Sequence, residues 1–415
     1  MFKNYVKITF KLMLRNKLFT FIGLLAISMT LLFIIVVDSI VDYTFGPVKP
    51  ETRLDRTLSV TMGRLEFESG GASMGPLFSP HFLIKNVKGL KTPEKTSVSS
   101  LFNSVVEYKG DKKIKMTTKY TDSEFWEILD FTFLEGKPFS ENNVKDADKV
   151  AVINRKIRDE YFDGKPAYGK YITIGREKYR VIGVVENVPI LRIMPYSDVW
   201  FPYTNSAEDI NEDKILGGFP GWFAMILAKS KEDFPAIQKE FLHNVKKTEQ
   251  NQEEYKRILT NASSYGEAFA RQLFLKETGN IKPFLLIIYL LIFLFLVLPA
   301  INLVNINLSR IMERSSEIGI RKSYGASSLT LIIQFLIENI IITVIGGIIS
   351  LVFAGIILSI INSTSIIPFS HFAINFRVFL FAMIVAVFFG VISGVYPAYR
   401  MSKLEPADAL QEGVR

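Results

Sequence analysis

The chain has 415 residues, 49% of them hydrophobic and 22% charged, with a net charge of +8 and a mean hydropathy of +0.24. That mixture is too apolar for disorder and too charged for a chain buried in a membrane throughout, so membrane and soluble parts are expected together. The absence of cysteine excludes a disulfide scaffold, thiolate metal sites and cysteine nucleophiles, and three scattered histidines (His81, His243, His371) argue against a multi-histidine metal centre.

Residues 1–17 carry Lys3, Lys7, Lys11 and Arg15 at four-residue spacing among Phe2, Tyr5, Val6, Leu12 and Met13. This pattern predicts an amphipathic helix in the cytoplasmic interface, and the same basic flank serves as a topology signal. Leu18 to Val37 is uncharged for twenty residues, enough for a helix to cross about 30 Å of hydrocarbon. The run exceeds a signal-peptide core and Asp38 to Tyr43 offers no small-residue cleavage site, so an uncleaved anchor is expected.

Residues 38–282 follow as a predicted extracytoplasmic domain. Between Gly46 and Asn280 there are 35 basic and 33 acidic residues, a soluble composition. Its two ends, Asp38 to about Arg56 and Glu232 to Glu277, have helix-compatible spacing and predict a stem continuing outward from the spans. Strand signals lie at 58–62, 104–108, 112–118 and 179–185, with Gly110-Asp111 as a hairpin turn. Short helices are expected over 123–129 and 154–161, with Ser123 and Asn154 as N-caps. The sum is an α+β domain.

Three further spans are predicted, at 283–307, 329–361 and 377–397, joined by 308–328, a short loop over 362–376 and a tail from 398. Lys and Arg number five in 1–17, four in 308–328 and three in the tail, with none in 362–376. Basic loops stay in the cytoplasm, so both termini are expected inside and the α+β domain outside. The three cytoplasmic pieces hold twelve basic and five acidic residues, a net of +7, so the chain's positive charge needs no nucleic acid.

Several chemical sites fail. Gly71-Ala-Ser-Met-Gly75 matches the G-x-S-x-G nucleophile pattern but is followed by Pro76 and Pro80, where that chemistry needs a helix, so a surface loop is expected. Neither a phosphate-binding G-x-x-x-x-G-K-[ST] loop nor an H-E-x-x-H zinc pattern occurs. Acid pairs such as Glu253-Glu254 read as solvated faces. No catalytic, cofactor or metal site is expected on this chain.

The segment 309–328 can form a short helix from Met312 to Tyr324, with Ile318 and Ile320 among Arg314, Glu317, Arg321 and Lys322 and Gly325 as its stop. This suits a docking surface for a cytoplasmic partner. In the spans, Glu338 is an ionisable residue in an apolar stretch that needs a partner. A Lys or Arg of the amino-terminal helix is the expected one, and a proton relay is the alternative. Gln334 accompanies it. Gly390 and Gly394 form a G-x-x-x-G pair for close helix approach, and Pro299 should kink the second span.

Glu313-Arg-Ser-Ser-Glu-Ile-Gly-Ile-Arg-Lys-Ser-Tyr-Gly-Ala-Ser327 resembles the signature of the FtsX/MacB-type ABC transporter permeases. Gln334 to Glu338 with Gly346-Gly347, Gly390 to Arg400, and Leu404 to Leu410 agree. In the α+β part, 150–154, 169–175 and 181–185 resemble the MacB periplasmic core domain. Tyr324 departs from a frequent Leu.

The resemblance implies an inner-membrane permease with four transmembrane helices, paired with a second permease as a homo- or heterodimer. It implies a separate cytoplasmic ABC ATPase that binds ATP and Mg, served by a coupling helix made of Arg314, Glu317, Ile318, Gly319, Arg321, Lys322 and Gly325. Mechanotransmission driving efflux of a peptide, antibiotic or other hydrophobic compound, with a periplasmic adaptor and an outer-membrane channel, is the activity it suggests. Lipoprotein release and FtsX-like control of a cell-wall hydrolase are the alternatives.

Overall fold

The computed structural model describes residues 2–75 except 16, then 78–251, 253, 255–274, 327–364 and 367–402; between 275 and 326 it describes only 286, 287, 290, 293, 294 and 320. The chain divides into two compact units, one of 1–42, 282–366 and 371–415, the other of 43–281 and 367–370.

In the first unit the amino-terminal helix α1 (Phe2–Arg15) is followed by α2 (Lys17–Phe45). The long helices α9 (Ser328–Thr364) and α10 (Phe376–Ser402) complete the described part. Two stretches, Thr20–Phe45 and Leu336–Thr364, are long and apolar enough to cross a membrane. Both leave large apolar side chains outward, such as Phe21, Leu25 and Phe33 on α2 and Ile348, Val352 and Phe353 on α9. A helix that is apolar all round and still exposed suits lipid rather than water. The predicted second span, 283–307, lies almost wholly outside the described residues.

One stripe of α2 is buried: Ile27, Leu31 and Ile35, at four-residue spacing, the first two packing with Ile342 of α9 and Ala382 of α10. Glycine makes this close. A Cβ on Gly346 would lie 2.7 Å from Cγ2 of Ile27, and one on Gly347 would lie 1.7 Å from Cε of Met383. Adjacent glycines on α9 therefore seat α2 and α10, the small-residue packing that membrane helices use in place of a hydrophobic drive.

The second unit is α+β. Its main sheet has eleven strands: β1 (Thr57–Val60), β4 (Lys95–Ser100), β5 (Asn103–Lys109), β6 (Lys112–Thr121), β7 (Phe133–Gly136), β8 (Val150–Asn154), β9 (Tyr171–Ile174), β10 (Glu177–Val185), β11 (Val199–Pro202), β12 (Trp222–Leu227) and β14 (Ser263–Ser264). Their order is β14-β1-β12-β4-β6-β11-β8-β10-β7, with β5 added on β6 and β9 on β10. Pairing is antiparallel except for β8 with β10 and β6 with β11. A small sheet holds β2 (Gly63–Phe67), β3 (Ala72–Gly75) and β13 (Tyr255–Thr260) in the order β13-β2-β3.

Strand alternation and hairpin chemistry account for the strands and helices whose signals are local. Lys109 pairs with Lys112 across the turn, and Gly110 has φ +60. Positive φ at the first central residue is what a type II′ turn requires. Helix α6 (Arg155–Tyr161) is capped by Asn154, whose Oδ1 accepts from Ile157 N at 2.9 Å.

Four readings change. The amino-terminal stem helix stops at Phe45, before Gly46-Pro47, rather than running to Arg56. The stretch 232–277 is two helices, α7 (Phe234–Gln250) and α8 (Tyr265–Phe274), parted by β13 and β14. The G-x-S-x-G segment is strand β3, its Ser73 opposite Leu65, rather than a loop. Helix α4 (Glu124–Ile128) is capped by Asp122, whose Oδ1 accepts from Phe125 N at 3.0 Å, and not by the Ser123 side chain.

Candidate functional site

Helix α2 ends inside the α+β unit, since Tyr43 to Phe45 belong to that unit. The last turn of any helix leaves carbonyls without partners and carries partial negative charge. Here one side chain meets both needs. Arg192 donates from Nη2 to the carbonyl of Tyr43 and, at 2.8 Å, to that of Gly46. Its Nη1 forms an ion pair with Glu51 at 2.9 Å. The guanidinium also lies 5.8 Å from the Tyr43 ring centre, within cation–π range.

Both members of the ion pair are buried, with side-chain exposures of 1% and 2%. Burial pushes the Glu51 carboxyl up, opposed by the Arg192 guanidinium beside it. Such a pair adds little net stability, but removing one partner strands the other charge in the interior.

The Arg192 loop is gripped from beneath by a second buried cation. Lys119, on β6, has no exposed surface. Its Nζ donates to the carbonyls of Ile193, at 3.2 Å, and Met194, and sits 5.0 Å from the Phe223 ring centre. Complete burial lowers its pKa to about 7, with Glu51 pulling the other way. Neutral and charged forms are therefore close in free energy near physiological pH.

Aromatic contacts finish the attachment. The Phe45 ring meets Tyr265 edge-on at 5.8 Å and Phe269 at 5.0 Å, both on α8. Thus the end of α2, the 191–196 loop and the start of α8 are joined by contacts around the buried Arg192–Glu51 pair and the half-buried Phe45 ring. Sequence reading passed over Arg192, Glu51 and Lys119. The available signals were a lone basic residue in the apolar run from Val188 to Met194 and one on an otherwise buried stretch of β6.

Two buried aspartates serve the sheet. Asp122 accepts from Ser97 Oγ at 2.6 Å and Val98 N at 2.8 Å and pairs with Lys88 at 2.7 Å. Asp198 accepts from Asn154 Nδ2 at 2.7 Å and Thr117 N at 2.8 Å and pairs with Lys156 at 3.1 Å. Their oxygens are occupied by structural partners. Among the described residues no group of three or more His, Asp or Glu side chains could hold a metal ion.

Of the sequence-predicted residues, Arg314, Glu317, Ile318, Gly319, Arg321, Lys322, Gly325 and Pro299 lie outside the described residues. Gly390 and Gly394 fall in α10. Gln334 and Glu338, four apart on α9, are buried to 5% and 4% exposure. Glu338 stands in the first turn of the candidate span Leu336–Thr364, and α1 packs against α9.

Comparison with known proteins fits this architecture. The family model described as MacB-like periplasmic core domain matches residues 20–243, and that of the FtsX-like permease C-terminal region matches 289–406. Together they define the class of the protein: it is an ABC transporter permease. Within that class the chain belongs to the MacB/FtsX-type family.

It is 24% identical to the ABC transporter permease YknZ of Bacillus subtilis (strain 168), over 80% of this chain and 79% of that one. It is 29% identical to the macrolide export ATP-binding/permease protein MacB of Neisseria meningitidis (strain Z2491), over 70% of this chain and 42% of that one. The chain thus spans less than half of the MacB relatives' length. The crystal structure of the periplasmic region of MacB from Actinobacillus actinomycetemcomitans matches 54% of this chain and 94% of that one at 15% identity, with a TM-score of 0.36.

Proposed function

We propose that this chain is the membrane subunit of an ATP-driven exporter that works by transmitting motion. An ATP-hydrolysing subunit docks on 308–328 in the cytoplasm, through Arg314, Glu317, Ile318, Gly319, Arg321 and Lys322, with Gly325 turning the chain back. Closure of two such subunits on ATP and Mg shifts the helices of a permease dimer, and the α+β unit moves on the other side of the membrane. The compound expelled is a peptide, antibiotic or other hydrophobic molecule, with an adaptor and an outer-membrane channel as further partners. No catalytic step is assigned to this chain.

The observation that carries this reading is the Arg192 clamp. Tyr43 and Gly46 carbonyls and Glu51 all meet Arg192, which ties residues 43–51 to the 191–194 loop within the α+β unit. A flexible tether would dissipate such motion, whereas a packed, charge-assisted junction passes it on.

The test measures complex formation, ATP hydrolysis and transport by the reconstituted complex with native chain, with Glu317→Lys plus Arg321→Glu, and with Arg192→Met. The charge reversal should abolish complex formation. Arg192→Met should leave the complex and its basal hydrolysis intact while abolishing transport. Full transport by Arg192→Met, or an unaffected complex in the charge-reversed chain, would overturn the mechanism.

A further inference from the structure

The α+β unit contains a cavity of about 390 Å³ that the clamp does not use. It lies between β12, the 191–196 loop and helix α8, with Leu101, Phe102, Met194 and Phe223 among its walls. No charged residue lines it, and only Thr61 and Tyr265 bring side-chain oxygens. Its size is that of a small-molecule site, and the two methionines, Met62 and Met194, give walls that adapt to an occupant's shape.

The rim is apolar as well. Phe219 is 91% exposed, Phe269 42% and Ile193 36%, and all three line the cavity. Large apolar side chains held open to water around a cavity mark a binding surface.

We propose that this cavity binds one uncharged apolar moiety, an alkyl chain, of an amphiphile whose polar part remains outside. The chemistry excludes a charged or strongly hydrogen-bonding group in the cavity, because neither cation nor carboxylate is there to receive it. The position adds a consequence. One wall, Ile193-Met194, follows Arg192 directly, and the other, Tyr265 and Phe269, holds Phe45. An occupant therefore presses on both attachments of the last turn of α2. This inference rests on the motion-transmitting mechanism proposed above only for what such pressure achieves; the binding itself stands alone.

The test uses the full chain in lipid nanodiscs and two alkyl-diazirine probes, a dodecyl maltoside analogue added from solution and a phospholipid placed in the disc. Crosslinks are mapped by mass spectrometry. Labelling of 101–102, 193–194 and 265–269 is expected from at least one probe, and which one identifies the source of the chain. Excess unlabelled dodecyl maltoside should compete and maltose should not.

Phe219→Asp, at an exposed rim position, and Ala268→Trp, which fills the cavity, should each reduce that labelling about fivefold or more, with labelling of 20–45 unchanged. Labelling confined to the spans, or equal in both variants, overturns the proposal. Hydrolysis with the ATPase subunit is measured in parallel. Stimulated hydrolysis without cavity labelling removes the cavity and leaves the motion-transmitting mechanism; cavity labelling without any ATPase complex supports the site and removes that mechanism.

Discussion

Arg192 and Glu51 stand 141 residues apart in sequence and 2.9 Å apart in space, each almost fully buried. Their pairing ties the 43–51 segment to the 191–194 loop inside the α+β unit. Because a guanidinium offers five donors in a rigid fork, one arginine serves the carboxylate and two helix-end carbonyls together.

Replacing Arg192 by Met should destabilise the α+β unit by about 3–5 kcal/mol, the cost of leaving a buried carboxylate unpaired. Glu51→Gln combined with Arg192→Met should recover part of that loss. Trp126, Trp200 and Trp222 are the chain's three tryptophans and all belong to this unit, so urea unfolding followed by tryptophan fluorescence reports it selectively. Equal midpoints for the single and double variants would show no recovery and contradict this.

Lys119 gives a pH dependence of defined sign. Its folded pKa is about 7, against about 10.4 for an unfolded lysine. Between these values the unfolded chain holds a proton that the folded one has released, so this group makes stability rise with pH across that window. Below about pH 7 the folded state carries the whole cost of the buried cation. Unfolding midpoints from pH 6.5 to 9.5 should climb more steeply in the native chain than in Lys119→Met, and parallel profiles would contradict this.

The two glycines of α9 should respond in the opposite order to their distances. A Cβ at Gly347 meets Cε of Met383, the free end of a flexible side chain, whereas a Cβ at Gly346 meets Cγ2 and Cβ of Ile27. Ile27 is β-branched and locked in rotamer by its helix. Gly346→Ala should therefore lower thermal stability more than Gly347→Ala, and Ile27→Ala should restore Gly346→Ala, as read by heat-induced aggregation of the purified chain.

Tyr265 should be a silent phenol at ordinary pH. Burial pushes its hydroxyl well above the usual tyrosine range, so Tyr265→Phe should leave the pH profile of transport unchanged below pH 10. The ring contact with Phe45 should make Tyr265→Ala weaken the attachment of α2, by about 0.5–1.5 kcal/mol beyond the lost area. Double-mutant cycles with Phe45→Ala measure that term.

Sequence alone determined the elements whose signals are local. Apolar runs of membrane length placed α2 and α9, the second interrupted only by Glu338, period-two alternation placed β5, β6 and β10, Gly110 set the hairpin between β5 and β6, and Asn154 capped α6. It also identified the permease family, because the motifs at 313–327 and 390–400 are contiguous. Each of these depends on neighbours within a few residues, where chain geometry leaves little choice.

Tertiary structure alone decided the rest. Strand β13 follows α7 within a stretch of helical spacing because it pairs with β2, nearly two hundred residues earlier, and local propensity yields to such pairing. Nothing near Lys119 in sequence announces that carbonyls from the 193–194 loop will close over it. Buried charges are tolerated only where distant partners converge, so the clamp, the cavity and their common wall exist only once the sheet order is set.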